Sequence, residues 1–214
     1  RKKMKKTKLV CGVGVNDADY TIQKMAEVVD ESGKKRYKLL WTCPFYIRWK
    51  NLLTRCFSDK VYQKFQNYKD CTVCEEWLRF SNFKAWMESQ DWEGKELDKD
   101  LLIKDNKHYC PDKCVFVSQT LNTFLTDRAN NRGPWPLGVV YMKRLDKFQA
   151  ACSNPFVSKG EKGKVEYLGI YENADEAHEA WRKRKHELAL MLAGRETEPR
   201  IISALSSRYS EEDC

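Results

Sequence analysis

The sequence has no apolar run approaching the ~20 residues needed to span a bilayer. Its opening RKKMKKTKLV also lacks the apolar segment of a secretory signal peptide. These two absences predict a cytoplasmic protein without a membrane partner. Because the cytoplasm keeps thiols reduced, the nine cysteines are expected to be metal ligands or buried apolar residues rather than disulfides.

The charge of the chain favours a polyanionic partner. Lys and Arg number 39 against 31 Asp and Glu, so the formal net charge is +8. Aromatic residues make up 12% of the chain, which favours a folded protein over a basic tail. A length of 214 residues allows two small domains, each with its own core. Residues 1–6 form a basic arm that is expected to be solvated, with DNA tracking as the alternative.

The first half of the chain predicts helices followed by a strand, loop, strand and helix. Apolar residues recur at helical spacing over residues 44–56, and a second apolar stripe begins near Glu75. Short apolar runs at 101–103 and 115–117 enclose a polar loop, and a helix that contains Asn122 follows them.

In the second half of the chain, the spacing of apolar residues changes from that of helices to that of strands, before one last helical segment. LGVVYMKR, KFQAACSNPF and KVEYLGIYEN predict three antiparallel strands, and ADEAHEAWRKRKHELALMLAG predicts one helix. Asn173 or Asp175 suits the helix N-cap, and Gly194 suits its end. Because a single helix covers one face of a sheet, the other face is expected to remain free. The tail after residue 195 shows no regular pattern.

The predicted fold class is therefore α+β, with five segments along the chain. They are a basic arm and extended segment (1–36), a helical and ββα module (37–127), a linker (128–136), a three-stranded sheet packed on one helix (137–195), and a tail (196–214).

The C-terminal motifs resemble a known DNA-binding domain. GVVYMKRLDKFQAA followed by EYLGIYENADEAHEAW resembles the AP2 domain, whose strands lie in the major groove of DNA. The insertion SNPFVSKGEKGKVE lengthens the turn between the second and third strands. The resemblance implies DNA contacts by six residues, Tyr141, Lys143, Arg144, Lys147, Gln149 and Tyr167. The alternative is an ordinary solvated strand face.

The N-terminal motifs resemble phage-encoded endonucleases. RC at 55–56, VCEEWLRFSNF, LDKD, YCPDKCVFV and GVGVNDADY are similar to HNH-type, or His-Me finger, proteins that often carry an AP2 domain. The resemblance implies a ββα site in which a Mg²⁺ or Mn²⁺ ion stabilises the leaving oxygen and a histidine activates water. The candidate catalytic residues are Asp98, Lys99, Asp100, His108 and Asn122.

The histidine that this family places on its first strand is missing. Lys99 stands near that position, and a lysine acts as a base only if burial or cationic neighbours lower its pKa. His108 is the one histidine of this module, which makes it a second candidate base. Asp98, Lys99 and Asp100 are otherwise interpreted as surface charge pairs.

Two close-spaced cysteine pairs predict a structural zinc site. Cys71 and Cys74 are separated by two residues, and Cys110 and Cys114 by three. Cys56 is a rival ligand at the end of the first predicted helix. The alternative is that some or all of these thiols are buried apolar residues.

Together these features favour sequence- or structure-directed binding of double-stranded DNA with metal-dependent phosphodiester cleavage, as in a homing endonuclease. The alternative is a catalytically degenerate, zinc-clamped DNA-binding or regulatory protein of phage origin. A protein-interaction module with an incidental basic face is a third hypothesis, although no motif indicates a protein partner. A phage protein would act in the bacterial host cytoplasm.

Overall fold

The computed structural model describes residues 9–65, 68–126 and 134–210, apart from the side chain of Tyr62. The predicted basic arm at 1–6 and residues 128–133 of the predicted linker lie outside the described residues. The chain divides into two units, Arg1–Phe116 and Val117–Cys214. Both combine helices with small sheets, so the fold is mixed α+β. In the described part of the chain, no helix is long and apolar enough to cross a membrane.

The N-terminal unit consists of short elements arranged in small two-stranded sheets beside helices. Its elements are β1 (Gln23–Val29), β2 (Lys35–Thr42), α1 (Pro44–Phe57), α2 (Asp59–Lys64), β3 (Thr72–Val73), a 3₁₀-helix (Glu75–Leu78), α3 (Phe80–Glu88), β4 (Glu96–Asp98), β5 (His108–Tyr109) and β6 (Val115–Val117), whose last residue lies beyond the division. The strands pair as β1 with β2, β3 with β5, and β4 with β6.

Aromatic side chains from α1 and α3 form the core of this unit. Trp49 and Phe80 are almost fully buried, and the Trp49 indole donates a 2.6 Å hydrogen bond to the Trp77 carbonyl. Gly14 lies directly against α1, because a Cβ at this position would sit 2.3 Å from Leu53 Cδ1. The motif GVGVNDADY therefore has a packing role. The helix predicted over residues 44–56 is confirmed as α1.

The helix predicted from Glu75 is interrupted. A 3₁₀-helix ends at Leu78, Arg79 has an extended backbone, and α3 begins after it. Asp17 stabilises this new start because its carboxylate accepts hydrogen bonds from the Ser81 backbone N–H at 2.9 Å and from the Ser81 hydroxyl at 2.7 Å. The apolar stripe predicted helical structure correctly but not the break.

The strand predicted at 101–103 is wrong, and the strand lies earlier, at β4. The Asp98 carboxylate accepts hydrogen bonds from the backbone N–H groups of Asp100 and Leu101, at 2.8 and 2.7 Å. These bonds turn the chain immediately after β4 and end the strand, as Asp side chains do in turns. The strand predicted at 115–117 is confirmed as β6.

The C-terminal unit is built around one three-stranded antiparallel sheet, as predicted. Its elements are α4 (Gln119–Leu125), β7 (Val139–Met142), β8 (Lys147–Ser153), β9 (Val165–Tyr171), α5 (Ala174–Ala193) and α6 (Pro199–Ser207). The sheet order is β7, β8, β9. The Asn173 side chain accepts the Glu176 N–H and caps α5, which ends at Gly194.

Helix α5 packs on one face of this sheet at very close range. Ala150 on β8 and Ala177 on α5 are both fully buried. Gly138 precedes β7 with a φ of +76°, and a Cβ there would lie 2.0 Å from Trp181 Cδ1. Glycine is therefore required at this position both for its backbone conformation and for the space occupied by Trp181.

A helix in the tail was not predicted. Helix α6 begins with Pro199 in its first turn and packs against α5, burying Ile201 and Leu205. The sequence carried the signal, since a proline precedes two apolar residues spaced four apart.

Lys185 on α5 gives this unit a pH dependence that can be measured. Its ammonium donates a 2.7 Å hydrogen bond to the Phe124 carbonyl and lies 3.5 Å from the centroid of the Phe124 ring. Burial lowers the pKa of Lys185 to about 8 from an ordinary value of 10.5. Between these values the unfolded chain holds a proton that the folded chain has released, so the free energy of unfolding increases with pH.

We expect Lys185→Met to remove this dependence. Between pH 7 and pH 9.5, chemical denaturation should show the wild type gaining on the order of 1 to 2 kcal/mol of stability relative to the variant. Lys183→Met is the matched control, because the Lys183 side chain lies on the same helix and is 65% exposed. Parallel pH profiles for the wild type and Lys185→Met would contradict this interpretation.

Candidate nucleic-acid interface

The strand register of the C-terminal unit separates its sheet into two faces. Cross-strand partners lie on the same face, and Val139 is paired with Ala150 while Tyr141 is paired with Phe148. Val139 and Ala150 are buried in the cluster that includes Ala177 of α5. We call this the inner face, and it is the face that α5 covers.

The inner face is also fixed at its far end by an ion pair. Arg184 of α5 contacts the Glu166 carboxylate of β9 through two nitrogens, at 2.5 and 3.0 Å. The hydrogen bond from this guanidinium lowers the pKa of Glu166. One of the acidic residues of the sheet is therefore neutralised on the side of the helix.

The opposite face of the sheet, which we call the outer face, is open. In register, Gln149 is paired with Val140 and Ile170, and Ala151 with Tyr167. Tyr167 is 59% exposed and Val140 is 58% exposed, so no described residue covers them. The alternating side chains of the outer face are Val140, Met142, Lys147, Gln149, Ala151, Ser153, Val165, Tyr167 and Ile170.

Three of the six predicted DNA-contacting residues, Lys147, Gln149 and Tyr167, lie on the outer face. Lys147 also forms an ion pair with Glu172 at 2.6 Å. Lys143 and Arg144 are exposed in the turn between β7 and β8, at one edge of this face.

Tyr141 is placed differently from the other five. Its ring lies 5.3 Å from Phe148 and 5.6 Å from Trp135, and its hydroxyl donates to the Asp146 carboxylate. It therefore lies on the inner face with the aromatic side chains and does not share a surface with Gln149. The alternation of strand residues is the physical reason, since Tyr141 is one position removed from Val140 and Met142.

The sequence analysis missed the apolar members of the outer face. Val140, Met142, Val165 and Ile170 were not selected because the prediction favoured cationic and amide side chains. Alternation along β7 and β8 leads from Gln149 and its partner Val140 to Met142. Val165 does not follow from alternation along β9, because the register with β8 shifts between Ala150 and Ala151.

The long turn between β8 and β9 is anchored at its base. The Asn154 side chain donates to Glu166 at 2.7 Å and accepts the Phe156 N–H at 2.8 Å. The Arg195 guanidinium lies 4.1 Å from the centroid of the Phe156 ring. These contacts hold the start of the insertion against β9 and against the residues that follow α5.

Cations predominate around the outer face. Lys143 and Arg144 are exposed in one turn, and Lys159 and Lys162 are exposed in the other. Within the described ranges, none of these four forms an ion pair with an acidic residue. The two turns join opposite ends of β8, so the field at both ends of the outer face is favourable for an anionic ligand.

The nuclease-like residues of the N-terminal unit hold its own chain together. Lys99 is buried, and its ammonium contacts the Asp100 carboxylate at 2.5 Å and the Asn106 carbonyl at 2.6 Å. The Asn106 side chain donates in return to the carbonyls of Lys99 and His108, at 2.9 Å each. These contacts close the loop between β4 and β5.

Asp98 and His108 also have structural partners. Asp98 accepts the two backbone N–H groups that end β4, and burial raises its pKa. The His108 Nδ1 lies 2.8 Å from the Thr72 hydroxyl of the neighbouring strand. Asn122 lies on α4, in the other unit.

The candidate zinc ligands fall into two neighbourhoods. Cys56 and Cys71 interact electrostatically with each other, and so do Cys74, Cys110 and Cys114. Burial raises the pKa of Cys56 to about 12, and it raises the pKa of Cys71, Cys74 and Cys114 as well. Cys56, Cys71 and Cys114 are buried in the core of the N-terminal unit.

Over residues 9–65, 68–126 and 134–210, no group of three or more His, Cys, Asp or Glu is arranged to hold a metal ion. The structural zinc and the catalytic Mg²⁺ or Mn²⁺ stay predictions of the sequence, and zinc content measured by elemental analysis tests the first of them.

The structural role of Asp98 predicts different effects for two substitutions. Asp98→Ala leaves two backbone N–H groups without their acceptor and should lower the free energy of unfolding by about 1 to 3 kcal/mol. Asp98→Asn keeps an acceptor oxygen in the same place and should remain within roughly 0.5 kcal/mol of the wild type. Urea denaturation monitored by tryptophan fluorescence measures both, and equal stability of the two variants would contradict this role.

Known proteins do not identify this surface. No family model matches the chain, and neither a curated protein nor a solved structure matches it. The assignment of the outer face therefore depends on its geometry, its exposure and the charges around it.

Proposed function

We propose that the C-terminal unit binds double-stranded DNA through the outer face of its three-stranded sheet. The observation that carries this proposal is an open sheet face, with alternating amide, aromatic and apolar side chains, flanked at its turns by cations. Helix α5 occupies the opposite face, so the ligand and the hydrophobic core do not compete for the same surface. The resemblance of the strand motifs to the AP2 domain supports the same ligand.

The dimensions of the sheet suit the major groove. Strands lie about 4.8 Å apart, so the axes of β7 and β9 are separated by about 10 Å. The major groove of B-DNA is about 12 Å wide, which is comparable with this width. A sheet inserted there would bring its outer-face side chains to the base edges and its turns to the phosphates.

Each class of side chain on this surface has a chemical role in the proposal. The Gln149 amide can pair with the N6 and N7 edge of adenine, and Tyr167 and Val140 can contact a thymine methyl group. Lys143 and Arg144 neutralise phosphates, which positions the sheet without reading sequence. Most of the affinity would then be electrostatic and sensitive to salt.

We expect Lys143→Ala and Arg144→Ala together to weaken binding to all duplex sequences. Each lost phosphate contact should reduce the slope of log K against log salt by about 0.9. Fluorescence anisotropy of a labelled duplex at several salt concentrations measures this slope. Lys183→Ala is the matched control, because it removes an exposed cation from α5, on the far side of the sheet.

Tyr167→Ala should act differently from the charge variants. Loss of an exposed ring should leave the fold intact and weaken binding to a preferred sequence by roughly tenfold, with little change in the salt slope. Unchanged affinity in both Tyr167→Ala and the Lys143 and Arg144 double variant would contradict the proposed surface.

Cleavage is not part of the proposal. The contacts of Asp98, Lys99 and Asn106 favour the alternative in which the nuclease-like segment acts as a structural scaffold. The function proposed for this protein is therefore that of a DNA-binding or regulatory protein, which acts on duplex DNA in the bacterial cytoplasm.

A plasmid assay separates binding from cleavage. Supercoiled plasmid incubated with the protein and Mg²⁺ or Mn²⁺ is expected to be bound but not nicked. Asp98→Asn and Asn122→Ala serve as comparison variants, because Asp98→Asn keeps the turn of β4 intact. Metal-dependent nicking by the wild type that both variants lose would replace the scaffold interpretation with that of an endonuclease.

A further inference from the structure

The hairpin formed by β1 and β2 exposes the side chains of both of its strands. Nearly every residue of its two strands is exposed, with Ala26 and Thr42 only partly buried. Leu40 is 63% exposed and Trp41 is 42% exposed. An isolated two-stranded hairpin is marginally stable in water, so a long one with large exposed side chains is expected to have a ligand.

The register of the hairpin places three of the four cations of its strands on one face. Ala26 is paired with Lys38, Val28 with Arg36, and Lys24 with Trp41. The Lys24 ammonium lies 5.7 Å from the centroid of the Trp41 ring, which confirms that these two side chains share a face. We call this the cationic face, and its members are Lys24, Ala26, Val28, Arg36, Lys38 and Trp41.

The other face has a different character. Glu27 lies there, where it forms an ion pair with Lys35 at 2.7 Å and accepts a hydrogen bond from the Tyr37 hydroxyl at 3.4 Å. Met25 is paired with Leu39 on the same face. Charge is therefore neutralised on this face, whereas the strand residues of the cationic face include no carboxylate.

We infer that the cationic face of this hairpin is a second contact surface for duplex DNA, lying as a β-ribbon in or along the major groove. This groove admits a two-stranded ribbon. At about 3.3 Å per residue, the strands of seven and eight residues are about 23 and 26 Å long, so the face can follow several phosphates. The inference extends the proposed function to the other unit, and it rests on the same ligand but on different residues.

Charge complementarity favours DNA over a second copy of this chain as the partner of the cationic face. In the described part of the chain, Lys24 and Lys38 form no ion pair, and Arg36 is paired only with Asp30 of the turn. A second copy of the chain pairing through this face would bring the same cations against each other, because an isologous contact repeats one surface. A polyanion removes that repulsion, and Trp41 adds a ring for sugar or base contact.

The test compares cations on the two faces of one ribbon. Lys24→Ala and Lys38→Ala are measured singly and together in the full chain, with Lys35→Ala as the control on the opposite face. The probe is a labelled duplex of about 30 base pairs, read by fluorescence anisotropy across a range of salt. The double variant is expected to reduce the slope of log K against log salt by about 1.8, while Lys35→Ala leaves it unchanged.

Three results would overturn the inference, and each is distinct from failure of the proposed function. One is a loss in Lys35→Ala equal to that of each cationic-face variant, which would indicate only diffuse charge. Another is a normal slope in the Lys24 and Lys38 double variant while the Lys143 and Arg144 variant is impaired, which leaves the sheet proposal standing alone. The third is a wild-type dimer in sedimentation velocity that the Lys24 and Lys38 substitutions dissociate. The converse pattern, with only the hairpin variants impaired, supports the hairpin and rejects the sheet.

Discussion

The packing of Trp181 against Gly138 determines what the C-terminal unit can present to a ligand. Because glycine leaves no Cβ between the helix and the start of β7, α5 approaches the sheet closely enough to bury Ala150 and Ala177 completely. All of the hydrophobic burial of the sheet then occurs on one face. On the outer face, Tyr167 and Val140 remain more than half exposed, so this face is the one available to the proposed ligand.

In the N-terminal unit, by contrast, the residues that suggested a chemical function hold the fold together. The residues that resemble a nuclease motif form hydrogen bonds within the unit itself. Asp98 ends a strand, while Lys99 and Asn106 close a loop through each other's backbone. A buried lysine is expensive to desolvate, and the Asp100 carboxylate and a carbonyl offset that cost. A motif of charged residues can therefore indicate a scaffold as well as a site.

The sequence predicted the elements that depend on local pattern. The helix over 44–56, the three C-terminal strands, the Asn173 cap and the end of α5 at Gly194 all follow from periodicity and capping. It did not predict features that depend on distant partners, such as the break at Arg79 beside Asp17 or the displaced strand β4.

For the candidate interface, Lys147, Gln149 and Tyr167 were found, but Tyr141 was assigned to the outer face because residue type was weighed above register. The hairpin of β1 and β2 was not predicted, since its exposed side chains show no alternation of apolar and polar residues.

Site-specific photo-crosslinking tests the central claim most directly. A benzophenone amino acid placed at position 167 lies on the outer face, and one at position 191 replaces a methionine that is 51% exposed on α5. Irradiation of the full chain bound to a labelled duplex should give a DNA adduct from position 167 and none from position 191. An adduct from position 191 alone, or from neither position while the duplex stays bound, would contradict the account.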